Sequence, residues 1–151
     1  MSGSPGNSIG IWTARHAFLV WLGIVLNLLL IVPLLIDPVW LLGLFNLPLN
    51  QPIWARFAGL LLFIISVYYI PATIDLERYR VNAWLAIVPS RSFGAIFFFL
   101  AVFVFDEPPG FIVAILLDGF IGLVTLYCLI RVTTLEHAQR SFGVGSFGDD
   151  V

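Results

Sequence analysis

NAWLAIVPSRSFGAIFFFLAVFVF, residues 82–105, decides how this chain folds. A helix begun at Arg91 has 15 residues up to Phe105, about 22 Å at 1.5 Å per residue. That is too short for the roughly 30 Å of hydrocarbon in a bilayer. The helix must therefore begin near Asn82 to Trp84 and carry both Pro89 and Arg91 into the membrane.

Three other stretches are long and apolar enough without such help. Residues 17–36 are uncharged and stop at Asp37-Pro38. The stretch is longer than the apolar run of a signal peptide, and no small-residue cleavage site follows it, so it reads as a retained span. Residues 57–74, FAGLLLFIISVYYIPATI, follow Arg56 and close with tyrosines where interfacial aromatics are expected. Residues 111–130 begin after DEPPG, a turn whose two prolines stop a helix and whose glycine is free to take positive φ, and end at Arg131. The expected spans are thus about 17–36, 56–74, 83–105 and 111–131, in a single transmembrane domain with flexible tails at 1–10 and 141–151. The fold class is all-α, a four-helix membrane bundle.

Composition agrees: 60% of the 151 residues are hydrophobic and 11% charged, with a mean hydropathy of +1.03, whereas soluble domains carry about a quarter charged residues. The seven basic residues are all arginine and are scattered, which argues against nucleic acid as a partner. Six of them, Arg15, Arg78, Arg80, Arg91, Arg131 and Arg140, fall on or near one side if both termini are cytoplasmic, with Arg56 alone opposite. Basic residues are kept in the cytoplasm, so the expected orientation is N-in/C-in. The absence of lysine hints at a GC-rich bacterial genome and hence a bacterial inner membrane.

Between the first two spans, VWLLGLFNLP is too short to cross and too apolar for a solvated loop. It is expected to form a short interfacial or re-entrant helix on the outer face, with Trp40 and Trp54 at headgroup level and Gly43 and Asn46 toward water.

Four residues break the apolar pattern. Asp118 lies seven residues into the fourth span, where an acid costs about 2.5–3.5 kcal/mol to insert, so it must face the bundle, a cavity or a partner. Arg56 stands on the non-cytoplasmic side and at the positive end of a helix dipole. Asp118 is at a compatible depth to pair with it, with Asp37, Asp106 and Glu107 as competitors. Arg91, counted inward from Trp84, is expected to snorkel to the inner headgroups, too deep to join Asp118. Asn27 is expected to act as interhelical glue, and Gly119 and Gly122 as a packing surface.

His16 and His137 lie at the cytoplasmic edge and cannot sandwich a haem within the bundle. Cys128 is alone, so no disulfide or thiolate metal site follows. The absence of metal-ligand, phosphate-loop or triad spacing points away from an enzyme. No cofactor is evident, although a quinone or lipid fits the candidate residues.

With arginine heading the second span in Arg56-Phe-Ala-Gly59 and placed within the third in Arg91-Ser-Phe-Gly94, the chain resembles DoxX-like small bacterial membrane proteins over about residues 15–135. That resemblance implies a four-helix membrane protein, of a group in which some members are associated with quinone-linked oxidation. Besides a quinone-reactive site near Arg56 or Arg91, two functions are carried forward. One is a non-catalytic subunit or assembly partner of a larger membrane complex, meeting other membrane proteins or itself. The alternative is a small transporter or channel using Asp118 with Arg56.

Overall fold

The computed structural model describes the backbone of residues 5–144 and the side chains of residues 8–141. All its regular elements are helical: α1 (Pro5–Ile36), α2 (Pro38–Leu44), α3 (Pro52–Ile74), α4 (Arg80–Leu85), a π-helical turn (Ala86–Ser92), α5 (Phe93–Phe103), a 3₁₀ turn (Pro109–Phe111) and α6 (Ile112–Val144). Four helices are long and apolar enough to cross a membrane: Ser8–Ile36, Pro52–Ile74, Arg80–Phe103 and Pro109–Ser141. The third is the continuous rod of α4, the π turn and α5.

The helices end where the local chemistry requires it. α1 stops at Asp37, whose carboxylate then caps α2 by accepting from the Trp40 backbone N–H at 3.1 Å. Asp75 closes α3 and accepts from the Arg78 N–H at 3.0 Å. At the other ends α1 and α6 run further than the hydropathy alone implies. Residues 5–10 and 141–144, expected to belong to flexible tails, are helical, and the remainder of both tails lies outside the described residues. The DEPPG turn works differently from the expectation. Asp106 takes the left-handed conformation at φ 57°, whereas Gly110 is needed because a Cβ there would collide with the carbonyl oxygen of Phe45.

Pro89 explains the π turn. In an α-helix its ring would strike the carbonyl four residues back, and it has no N–H to donate. Widening the turn relieves the clash, and Ser92 Oγ donates to the Ile87 carbonyl at 3.1 Å, bridging the altered turn.

α1 packs against both α3 and α6, α6 against the π turn and α5, and α3 against α4 and the π turn. One buried apolar group joins Ala72, Leu76, Ala83, Ile87, Leu129 and Val132 at the end of the bundle where α1 begins and α6 ends. Val20, Ile24, Tyr69 and Ala86 form a second buried group. Outside, large apolar side chains such as Phe18, Leu29, Ile64, Phe97 and Leu123 are exposed all along the rods. A soluble domain does not present so continuous an apolar surface, whereas lipid covers it.

Candidate functional site: a buried ion pair beside a cavity

Arg91 follows Pro89 by two residues and is held by the π turn with its residue surface only 6% exposed. Its Nη1–H donates to Asp118 Oδ1 of α6 at 3.0 Å, forming an ion pair. The guanidinium carbon also sits 5.8 Å from the ring centroid of Tyr69, within range of a cation–π contact. The Tyr69 hydroxyl is hydrogen-bonded to Ser90 Oγ, which ties α3 to the same turn.

Three glycines from three helices make room for this pair. A Cβ at Gly23 of α1 would collide with the Arg91 guanidinium, one at Gly122 would come within 3.3 Å of Arg91 Cβ, and one at Gly94 would lie 3.2 Å from Asp118 Oδ2. Gly119 has nothing within 4 Å of such a Cβ. Of the two glycines expected to form a packing surface, only Gly122 does so.

The pairing corrects the expected partners. Arg91 does not snorkel, and it is Arg91 rather than Arg56 that meets Asp118. Fixing the third rod by its inner end, at Trp84, separated the two residues too far. Measured from the turn that joins the rods, Arg91 lies 12 residues before Phe103 and Asp118 lies 9 after Pro109. The difference, about 4.5 Å along the axis, is within reach of an arginine side chain. Arg56 is exposed and lines a different groove with Trp54, Phe57 and Leu60. It has no acidic partner among the described residues.

Arg91, Asp118 and Asn27 line one cavity of about 280 Å³, walled otherwise by apolar side chains such as Leu30, Leu62, Phe98 and Ile121. Asn27 is also the interhelical tie expected of it: its Nδ2–H donates to Ser66 Oγ of α3 at 2.9 Å, and Ser66 passes its own hydroxyl hydrogen to the Leu62 carbonyl. A second cavity of about 160 Å³ lies under Leu41 and Leu42 of α2. It shares Leu30, Leu34, Phe98, Ala114 and Leu117 with the first, so apolar space extends from the charged pair toward α2.

Compared with family models, with curated proteins and with solved structures, the chain matches none. The site therefore has to be interpreted from its own groups.

One buried residue escaped the sequence. His16, expected at the bundle's edge, is 0% exposed, and neither ring nitrogen has a hydrogen-bond partner. Its position ahead of the uncharged run made it look peripheral, but α1 begins at Pro5, about three turns earlier than that run. Near the same end Arg80 pairs with Glu136, and Arg140 with Glu77 at 3.6 Å. Among the described residues no group of histidine, cysteine and carboxylate side chains could hold a metal ion.

Proposed function

We propose that this chain is a non-catalytic membrane subunit or accessory protein, set N-in/C-in in a bacterial inner membrane, that binds a small lipophilic molecule of quinone or quinol type. The observation that carries the proposal is the partly open cavity in which a guanidinium, a carboxylate and a carboxamide share an otherwise apolar wall.

These groups suit binding. Asp118 engages one N–H of Arg91, and a guanidinium has five, so a carbonyl oxygen can accept from those that remain. A hydroxyl can donate to Asp118 Oδ2, which the glycine at position 94 leaves accessible. A volume of about 280 Å³ is just below the range of drug-sized pockets and suits a single ring. The adjoining space beneath α2 suits the start of an apolar tail. α2 itself, with Val39, Trp40 and Leu44 exposed, fits an interfacial helix covering that space. The DoxX-like resemblance points the same way.

Arg56 supports the subunit part. An exposed cation beside Trp54 and Phe57 on the rim of a groove offers an acidic side chain of a partner membrane protein both a charge and an apolar contact.

Thermal unfolding of the purified protein with a short-tailed quinone tests the ligand. At a hundredfold excess over Kd, the wild type is expected to gain about 2.7 kcal/mol, and Asn27→Leu and Asp118→Asn are expected to lose that gain. The absence of any shift at saturation overturns the ligand. Mass spectrometry after purification from native membranes tests the subunit role, which fails if the protein runs alone.

A further inference from the structure

At the end of the bundle where α1 begins and α6 ends, two arginines approach the ring of Trp12 of α1. The Arg15 guanidinium carbon is 4.7 Å and that of Arg131 is 5.4 Å from its ring centroid, so the two cations lie within about 10 Å of each other. Tyr127 meets the same ring edge to face, with centroids 5.6 Å apart.

Both arginines are exposed, and neither has an acidic partner among the described residues. Arg80 and Arg140 at the same end are each neutralised by a glutamate. Two like charges held at one indole repel unless an anion lies near both.

Below them a groove of about 520 Å³ opens between α1 and α6. Arg15 lines its head, and Phe18, Leu19, Val124 and Cys128 line its length. It has a cationic end and an apolar trough running down a membrane-spanning rod, which is the charge and shape complement of an anionic phospholipid. Basic pockets between membrane helices recognise such headgroups.

We propose that this groove is a binding site for one anionic phospholipid. The phosphate sits between Arg15 and Arg131, Trp12 positions both guanidiniums, and an acyl chain lies along Phe18 and Val124. The site is separate from the Arg91 cavity and stands whether or not that cavity binds a quinone.

Native mass spectrometry of the delipidated full chain in detergent, titrated with phosphatidylglycerol or phosphatidylcholine, tests this. The wild type is expected to bind one phosphatidylglycerol in preference to phosphatidylcholine. R15Q/R131Q is expected to weaken that binding about thirtyfold, the equivalent of about 1 kcal/mol for each arginine. R78Q, which removes another cation at the same end, is expected to leave it unchanged. V124W leaves both guanidiniums in place but fills the trough, and is expected to weaken binding of the lipid even if the double variant does not fold. Glycerol 3-phosphate, which has the anion without the chain, is expected not to bind measurably. Equal affinity for the two lipids, an R15Q/R131Q loss no larger than that of R78Q, or unchanged binding by V124W overturns the proposal.

Discussion

Replacing Asp118 by leucine strands the Arg91 guanidinium inside the bundle, and the cost follows from the geometry. Arg91's side chain is 7% exposed and Asp118's 30%. Arginine cannot shed its charge, and π-turn packing and Gly122 hold its stem in place. Removing one partner of a buried pair costs about 3–5 kcal/mol, whereas replacing both by apolar residues of similar size is often neutral. Asp118→Leu is therefore expected to destabilise by about 3–5 kcal/mol. Arg91→Leu should cost less, because the remaining carboxylate borders the cavity. The double replacement Arg91→Leu/Asp118→Leu is expected to recover most of the loss, leaving a deficit of about 1 kcal/mol or none. Reversible unfolding in mixed detergent micelles, followed by circular dichroism, measures all three. Near-additive losses would show that the two residues act independently and refute the pairing. A milder effect of Asp118→Leu than of Arg91→Leu would refute the asymmetry argued from burial.

Three further predictions concern Gly23, Gly119 and His16. Gly23→Ala puts a methyl group where the end of the Arg91 side chain lies, which must shift into the adjoining cavity, so the substitution is expected to cost about 1 kcal/mol, and less on an Arg91→Leu background. Gly119→Ala, with open space around it, should fall within about 0.5 kcal/mol of wild type. His16→Leu removes an imidazole whose two nitrogens are buried without partners. It is expected to stabilise the bundle by about 1–3 kcal/mol, and a loss of that size in the same unfolding assay would mean that the imidazole has a partner in the folded protein.

The number and rough extent of the membrane-crossing helices were legible because span length is set by a solvent of known thickness, and hydropathy records it directly. Helix rotation was not. In a water-soluble bundle the apolar face shows which way a helix turns, but these helices are apolar all round, and exposed Phe97 and buried Ala101 differ little in polarity. Depth was therefore the only coordinate available for matching Asp118 to an arginine. Depth, counted inward from Trp84, favoured Arg56 over Arg91, and it misled because an arginine side chain reaches several ångströms along the axis. Pro89 offered the remaining signal. A proline two residues before a charge inside a span marks a distorted turn, and that distorted turn holds the guanidinium in the bundle.

Gly23 gives the pair an evolutionary signature. Every missense change at a glycine codon adds at least one heavy atom to the side chain, and at this position the first such atom meets the Arg91 guanidinium. Residue 23 is thus expected to be glycine more often in lineages that keep arginine at 91 than in lineages where that arginine is lost. Aligned relatives would show the two positions, 68 residues apart in the chain, changing together.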